Sequence, residues 1–317
     1  MKNNSSNPFW DLQGTALLTL LISLVKKQEP KYQNLVNVRR LLKIMSGDLK
    51  KLNMLVIQSK DESIYEGYKS FIAMAPNTFT GIAACALAAL NLFEDEQLVR
   101  ITSVDSLDVG SFRKKKVALF VQAPTIDMHY YSPISSVLME QLFAQVMREL
   151  PEKKDQSIFF LLDEASSLVI PSLPVAIANV RKYMTGILLI YQDFNQVIQS
   201  FNKNDAETIR SNCYAKVYFT GQGLETARML ETTLGKYTYE DEKEIKRTRQ
   251  LMTADEIRTM PVENAIVICG HHRPILANMR PYYKKNRTLA KTVYEKAKIV
   301  GDIPAGAVPL LPIPKAK

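Results

Sequence analysis

The amino-acid sequence predicts an α/β domain with a mostly parallel sheet, preceded by an all-α domain. Three patterns favour this class: an apolar run that ends in two acids, a second apolar run further along, and a helix-like segment between them. Such a strand–helix–strand unit places both strands parallel in one sheet, because its crossover is right-handed. We therefore expect the residues that follow the two strands to lie at one edge of the sheet.

The first apolar run, residues 157–162, is followed directly by Asp163 and Glu164. A strand inside a sheet is apolar on both faces, so its charged residues occur at its end. In P-loop ATPases the first acid of such a pair holds Mg²⁺, usually through water, and an adjacent Glu can orient or deprotonate the attacking water. The pair predicts a nucleotide site, although a strand that stops at two solvated acids before a turn has the same sequence.

The second strand is predicted at residues 187–191, after a crossover helix within residues 173–184. Gln192 follows this strand, so it is expected at the same edge as the acid pair. Its amide can sense a γ-phosphate or position a water molecule. An ordinary polar residue at a strand end explains Gln192 equally well.

These residues resemble a known family, the conjugative coupling proteins of type IV secretion systems, which are the TraG/TraD group of hexameric ATPases. Residues 160–168 resemble the Walker B element of the family, and residues 189–193 resemble its glutamine-bearing strand. Further matches follow in the same order at residues 206–213, 216–219, 224–227, 234–235, 252–257 and 270–275. Several ordered matches are more specific than the acid pair alone, so the chain is identified as a member of this family.

The resemblance implies a RecA-like P-loop NTPase core and assigns roles to four residues. Asp163 would position Mg²⁺, Glu164 would prepare the attacking water, and Gln192 would report the γ-phosphate of ATP. Arg181 lies where the family carries a candidate arginine finger, which stabilises charge on a phosphoryl group bound by a neighbouring subunit. The position of Arg181 near a helix end also suits the helix dipole.

The phosphate-binding loop of such a site is missing from the sequence. None of the 12 glycines belongs to a Gly-Lys-Ser or Gly-Lys-Thr motif, and Gly235-Lys236-Tyr237 is the nearest match. The backbone N–H groups and the lysine of that loop bind the phosphates. ATP and Mg²⁺ are therefore expected to bind only when a P-loop completes the site, and this chain alone is expected to be inactive.

We interpret the chain as the C-terminal portion of a longer protein. Residues 7–10 resemble a segment that lies downstream of the P-loop in the family, near the start of a helical insertion. The other interpretation is a degenerate or split homologue.

Composition indicates a globular chain with a substantial core, because 46% of the 317 residues are apolar. The three cysteines are widely separated and are interpreted as reduced core thiols, and the three histidines have no spacing typical of a zinc site. No apolar stretch reaches the roughly 20 residues of a membrane span, and no signal peptide is recognisable. We expect a cytoplasmic location, at the cytoplasmic face of the plasma membrane in a full-length protein.

Three regions are predicted along the chain: a basic helical domain at residues 1–100, an ATPase core at 101–285 and a flexible basic, Pro-rich tail at 286–317. The core is expected to begin with a strand at residues 117–121. Residues 237–250 are dense in charge and are expected to form a flexible surface loop. The tail is expected to be extended and poorly packed.

The first 60 residues carry ten basic and three acidic residues, which is a net charge of +7 out of +9 for the whole chain. Such clustering predicts attraction to a phosphate backbone or an anionic membrane, and Arg39, Arg40 and Lys43 are the candidate DNA contacts. A solvated helical surface whose acidic counterpart lies elsewhere would have the same composition.

The function predicted from these features is part of a coupling ATPase that delivers relaxase-bound single-stranded DNA to a type IV secretion channel. The implied partners are single-stranded DNA, relaxase and other relaxosome proteins, channel components and, in a full-length protein, further copies in a homo-hexamer. The alternative is a truncated or split, non-catalytic module that docks DNA or relaxosome proteins. A phage terminase or another DNA-pumping ATPase fits residues 206–213 and 270–275 less well.

Overall fold

The computed structural model describes residues 8–104, 107–240, 245–285 and 308–314. The chain divides into two compact units, a helical unit (Met1–Asp108 with Ile299–Lys317) and an α/β unit (Val109–Lys298).

The helical unit consists of helices joined by short turns. They are α1 (Pro8–Lys26), α2 (Leu35–Gly47), α3 (Asn53–Gln58), α4 (Glu62–Ile72), α5 (Pro76–Ala89) and α6 (Glu96–Thr102). The side chains of Asn34, Asp61 and Asp95 accept hydrogen bonds from the first backbone N–H groups of α2, α4 and α6, respectively. Because Lys27 and the N-terminal groups of α4 also hydrogen-bond to the Asp61 carboxylate, the pKa of Asp61 falls to about 2.

Helix α1 lies in the core of the helical unit, where Leu17, Leu21 and Leu24 are buried. At 19 residues and a mean hydropathy of 1.3, it is the one helix among the described residues that is long and apolar enough to cross a membrane. The sequence predicted a shorter apolar stretch. The helix, which the apolar spacing predicts at residues 9–25, also includes the less apolar residues before this stretch, and it begins at Pro8, where a proline is well tolerated.

Residues 308–314 pack against the helical unit, which differs from the poorly packed tail expected from the sequence. The buried Asn37 side chain donates a hydrogen bond to Pro309 O (3.0 Å) and accepts one from Leu311 N (2.8 Å), and Arg40 donates to Leu311 O. Leu311 is itself buried. This short segment is ordered because a buried amide side chain pairs with its backbone. The rest of the predicted tail lies outside the described residues.

The α/β unit alternates helices with short strands over most of its length. The elements are α7 (Met128–Val146), β1 (Ile158–Leu162), α8 (Leu173–Asn179), β2 (Thr185–Leu189), α9 (Phe194–Phe201), α10 (Lys203–Asn212), β3 (Ala215–Phe219), α11 (Leu224–Leu234), β4 (Lys236–Glu240), β5 (Lys246–Gln250), α12 (Ala254–Arg258), β6 (Asn264–Cys269), β7 (Ile275–Asn278) and α13 (Tyr282–Lys285).

The predicted α/β class is confirmed, and the sheet pairing is mixed. β1 pairs in parallel with β2, in the register Ile158↔Thr185 to Leu162↔Leu189. β3, β6 and β7 form an antiparallel sheet, and β4 and β5 an antiparallel ribbon. Among the described residues the parallel β1–β2 pair is thus accompanied by antiparallel pairs, where the sequence predicted a mostly parallel sheet. One reason is that a short turn joins β6 to β7, and so short a connection permits only antiparallel pairing.

The core of the α/β unit lies between the β1–β2 pair and helices α7 to α10. Phe143 of α7 is fully buried and meets Phe160 of β1 edge-on, with ring centroids 4.7 Å apart. A second apolar cluster joins α11, α12 and β6 through Leu230, Ile257 and Ile266. The residues that follow the two strands, Asp163 and Glu164 after β1 and Gln192 after β2, are exposed.

The strand predicted at residues 117–121 is not formed. Four side chains of this segment, those of Val117, Leu119, Phe120 and Val121, are 41–78% exposed, and the segment has no regular structure. A strand needs the backbone of a neighbour. This segment instead lines one groove together with β1, without pairing to it.

Candidate nucleotide site

The backbone ladder between β1 and β2 continues beyond the strands and sets the positions of the predicted site residues. Ile190 N donates to Leu162 O (3.0 Å), and Ala165 N donates to Ile190 O (3.1 Å). The segment that carries Asp163 and Glu164 therefore lies beside the segment that carries Gln192. Gln192 Nε2 is 3.5 Å from Glu164 Oε1, at the outer limit of a hydrogen bond. The structure thus brings the side chains of Glu164 and Gln192 together, with Asp163 adjacent in the chain, and all three residues are exposed.

Glu164 has an unusual backbone conformation, with φ 51° and ψ 44° in the left-handed region. A residue with a Cβ is strained there by roughly 1–2 kcal/mol. Asp163 Oδ1 accepts a hydrogen bond from Glu164 N (3.1 Å), which favours the sharp turn after β1. Backbone strain of this kind is concentrated at functional sites, where the surrounding structure maintains it.

A polar stripe on α7 holds the segment that follows the acid pair. Ser132 Oγ donates to Ser167 O (2.6 Å), Ser136 Oγ accepts from Val169 N (3.2 Å), and Glu140 Oε1 accepts from Ser172 N (2.8 Å). Sequence reasoning missed this stripe. Its signal was available, because polar residues four positions apart lie on one face of a helix.

Asp193 anchors the segment after β2, another role that sequence reasoning missed. Its carboxylate accepts hydrogen bonds from Asn195 N (2.8 Å), at the start of α9, and from Thr226 Oγ1 (3.2 Å) of α11. A Cβ on Gly223 would lie 2.9 Å from Asp193 Oδ2, so a larger residue at 223 would disturb this contact. The adjacent Gln192 N donates to Gln196 Oε1 (3.0 Å). The backbone that presents the Gln192 side chain is therefore tied to α9 and α11.

Arg113 joins the opposite, amino-terminal ends of the two strands. Its guanidinium donates to Tyr183 O (2.6 Å), Thr185 Oγ1 (3.3 Å) and Gln156 O (3.2 Å). Burial lowers the pKa of Arg113, and the nearby Asp155 carboxylate partly offsets this effect. No pattern in the sequence indicates this role, because the partners of Arg113 are mainly distant carbonyl groups.

Arg181 lies at this same amino-terminal end, in the 3₁₀ turn Val180–Tyr183 that precedes β2. Its side chain is exposed. Four residue steps of β2 separate this end from the carboxyl end by roughly 13 Å. The structure therefore does not bring Arg181 to the acid pair of its own chain.

The three candidate DNA contacts on α2 are engaged within the helical unit. Arg39 and Lys43 both form ion pairs with Glu94, at 3.7 Å for Lys43 Nζ, and Arg40 donates to Leu311 O. Residues 61–100 carry six acidic and two basic residues, so much of the acidic counterpart of residues 1–60 lies in the following 40 positions. DNA binding by these three residues stays a prediction.

An open groove of about 1480 Å³ runs along the outer side of β1. Apolar side chains of residues 117–121, α7 and β1 line it, and Asp163 and Glu164 are among its lining residues. Phe159 and Leu161 of β1 are 71% and 70% exposed. Large apolar side chains therefore lie in solvent directly beside the candidate site.

The donor set at the site suits a hard divalent cation. Among the residues that the structure describes, no three His, Cys, Asp or Glu side chains cluster as a metal cage. Two exposed carboxylates are what Mg²⁺ commonly uses, since it retains several waters and takes further oxygen ligands from substrate phosphates. The residues present fit Mg²⁺ in the company of a nucleotide.

Solved structures with the same fold define the class of this chain as RecA-like α/β. The unbound bacterial conjugative coupling protein TrwB aligns with a TM-score of 0.58 and 16% identity, over 84% of this chain and 68% of that chain. TrwB in complex with ADP and Mg²⁺ aligns with a TM-score of 0.56 and 17% identity over the same shares. A family model described as "Type IV secretory system Conjugative DNA transfer" matches residues 1–301, so the chain belongs to that family. The resemblance stated from the sequence is confirmed.

Two relatives named VirD4 are similar to this chain at low sequence identity. Protein VirD4 of Rhizobium radiobacter is 24% identical over 234 residues, which are 69% of this chain and 33% of the relative. The type IV secretion system-coupling protein VirD4 of Bartonella henselae is 24% identical over 316 residues, which are 91% of this chain and 48% of the relative. The chain thus spans between a third and about half of the length of these relatives.

Proposed function

We propose that this chain is the acid-bearing part of an ATPase that couples DNA to a type IV secretion channel during conjugative transfer. One observation carries the proposal: Asp163, Glu164 and Gln192 lie together where two parallel strands end, in a chain of the conjugative DNA transfer family. Ligands of parallel α/β sheets bind beyond the carboxyl ends of the strands.

Each polar group at this edge has a distinct role in the proposal. Bound Mg²⁺ would neutralise charge on the β- and γ-phosphates of ATP. The Asp163 carboxylate would hold the cation, and the Glu164 carboxylate would accept a proton from the attacking water. Gln192 would hydrogen-bond to the γ-phosphate or to that water. TrwB, which shares this fold, has been solved in complex with ADP and Mg²⁺, and that complex supports the choice of ligands.

The phosphate-binding loop would come from polypeptide that this chain does not include. The groove beside β1 suits such an addition, because an added strand would pair with the outward backbone groups of β1, and the polypeptide connected to it would cover the exposed side chains of Phe159 and Leu161. The part of the relatives that the chain does not span is large enough to supply it.

The full assembly would be a ring at the cytoplasmic face of the plasma membrane. A homo-hexamer would place the exposed Arg181 of one subunit at the nucleotide of the next, which agrees with its distance from the acids of its own chain. Single-stranded DNA bound to relaxase, the other relaxosome proteins and the channel components would be its partners.

ATP hydrolysis tests the proposal directly. The chain is joined to a segment of a relative that carries the P-loop, and turnover is measured with Mg²⁺ and single-stranded DNA. We expect Glu164→Gln to lower turnover at least about 100-fold while nucleotide binding is retained, because general-base catalysis contributes typically 10²–10⁴-fold. Glu149→Gln is the matched control, since Glu149 is an exposed acid shortly after α7. Wild-type turnover in Glu164→Gln would refute the assigned base.

A non-catalytic docking module is the alternative, and the absence of a Gly-Lys-Ser/Thr motif from the sequence is compatible with both functions. Titration of the 317-residue chain with a fluorescent ATP analogue and Mg²⁺, with and without an added P-loop segment, separates the cases. Both candidates predict weak or absent binding by this chain alone. Only the ATPase candidate predicts that an added P-loop segment restores micromolar binding.

A further inference from the structure

Strands β4 and β5 form an exposed ribbon (residues 236–240 and 246–250) whose two faces differ in chemistry. Tyr237 pairs with Arg249 and Tyr239 with Arg247. Since cross-strand partners share a face, two tyrosines and two arginines lie together on one side. The opposite face carries Thr238 and Thr248, whose hydroxyl groups are 3.2 Å apart, together with the Lys236–Gln250 and Glu240–Lys246 pairs.

The tyrosines on this face are not used for core packing. Tyr237 and Tyr239 are each 40% exposed, and their ring centroids are 5.7 Å apart at an interplanar angle of 36°. Every residue of both strands is exposed except Gln250, which is half-buried. The rings therefore present stacking surfaces to solvent.

The arginines give this face a positive charge that is held in place. Arg249 Nη2 donates to Glu256 Oε1 at 2.7 Å, and Glu256 is itself fixed as the capping-box residue of α12. The hydrogen bond to Glu256 and the charge of Glu256, and to a smaller extent the two tyrosines, raise the pKa of Arg249. The two strands carry four basic side chains and one acidic side chain, whereas residues 241–244, which connect them in the sequence, add three acids and one lysine, so residues 236–250 carry a net charge of +1.

We propose that the tyrosine–arginine face of the β4–β5 ribbon binds single-stranded nucleic acid. Adjacent bases would stack on Tyr237 and Tyr239, and Arg247 would contact the phosphate backbone. Aromatic side chains on an exposed sheet combined with basic groups are how many proteins bind single strands without strong sequence preference. The inference rests on the proposed function, which identifies the cargo as DNA. An acidic protein surface would also be attracted to the basic side chains, but it would not need the tyrosine rings.

The test uses the whole chain and a fluorescent oligothymidine, with binding followed by anisotropy over a range of salt concentrations. Tyr237→Leu with Tyr239→Leu is expected to weaken binding about tenfold or more, without changing the slope of log affinity against log salt. The matched control is Thr238→Val with Thr248→Val, on the opposite face of the same strands, which should bind like wild type. Equal binding by the tyrosine variant and wild type would overturn the proposal.

A matched pair of variants tests the contribution of charge to binding. Arg247→Gln and Lys246→Gln remove the same charge from adjacent positions on opposite faces. Arg247→Gln should weaken binding and reduce the salt slope by about 1, whereas Lys246→Gln should leave both nearly unchanged. If the two variants weakened binding equally, the ligand would not bind preferentially to the tyrosine–arginine face, and the proposal would fail.

An abasic strand of equal length separates base stacking from charge. Wild type and the tyrosine variant should bind this strand equally, since it carries phosphates without bases. If wild type binds the abasic strand, or poly-glutamate of equal charge, as tightly as oligothymidine, the face is a general anion surface and the proposal fails.

A measurement on the unchanged protein guards against a variant that misfolds. Oligonucleotides containing iodouracil should cross-link on illumination to the peptide with Tyr237 and Tyr239, and cross-links confined to other peptides would overturn the proposal. No binding of single-stranded DNA at low salt would overturn it too. The proposed ATPase is judged separately by turnover of the completed protein, so DNA-stimulated turnover with unaffected tyrosine variants would discard only this inference.

Discussion

The helical unit buries large apolar side chains that the β1 side of the α/β unit leaves exposed. Leu17, Leu21 and Leu41 of the helical unit are completely buried, whereas Phe159 and Leu161 of β1 are mostly exposed. Polar groups differ too: Asn34 and Asp61 cap helices in the helical unit, whereas the carboxylates after β1 lie in solvent. The helical unit is closed around its own core, and the α/β unit is open at the place where its candidate site lies.

This contrast indicates where additional polypeptide would be stabilising. An exposed apolar strand beside two acids is a poor arrangement for an isolated domain, because large exposed patches usually mark interaction sites. In the proposed function, the polypeptide that carries the phosphate-binding loop would cover this strand. Three experiments test whether the two units differ in this way in solution.

The largest difference in stability is expected between two Leu→Ala substitutions, one in the core of the helical unit and one on the exposed face of β1. Leu41→Ala in α2 should lower the free energy of unfolding of the helical unit by about 3 kcal/mol, because it leaves a cavity at a fully buried position. Leu161→Ala in β1 should change stability by less than about 0.5 kcal/mol. Urea unfolding followed by Trp10 fluorescence reports the helical unit, and hydrogen exchange reports β1. If Leu161→Ala lowered the free energy of unfolding as much as Leu41→Ala, the face of β1 would be covered in solution.

An intermediate effect is expected at Asn37, where a buried polar group secures a distant segment. Asn37→Ala removes the hydrogen bonds to Pro309 O and Leu311 N and should cost about 1–3 kcal/mol. Amide exchange at Leu311 should accelerate. Asn53→Ala, at an exposed helix position, is the control and should leave that exchange unchanged. Slow exchange at Leu311 in Asn37→Ala would show that the segment is held by other contacts.

The smallest effect on stability is expected at two residues that share the same positive φ. Lys60 follows α3 and Glu164 follows β1, and both have φ 51°. Replacement of either by Gly should stabilise its unit by about 0.5–1 kcal/mol, because relief of the left-handed strain exceeds the entropy that glycine loses. Thermal unfolding measures the gain.

The functional outcomes of these two glycine variants should differ. In a protein completed with a P-loop, Lys60→Gly should keep ATP turnover and Glu164→Gly should lose it. If Glu164→Gly destabilised the α/β unit, contacts of the Glu164 side chain would outweigh the backbone strain at this position.

Much of the architecture followed from local patterns in the sequence. Helical spacing of apolar residues predicts helices where α1, α2, α4 and α5 form, at residues 9–25, 35–45, 64–74 and 81–93. The two apolar runs located β1 and β2 to within two residues. The acids and Gln192 were placed at one edge because the handedness of the crossover is nearly invariant. Ordered motifs indicated the family. These features depend on neighbours in the sequence or on a general chiral rule, so a single chain suffices to predict them.

Long-range contacts determine which charges are neutralised and which surfaces remain open. The basic residues of α2 pair with Glu94, residues 308–314 pair with Asn37, and Arg113 joins both strands through carbonyl groups up to 70 positions away. The charged segment expected as a loop forms a ribbon with separated faces. Such contacts join residues far apart in the chain and depend on backbone groups that all residues share, so they leave no periodic pattern in the sequence from which they could be predicted.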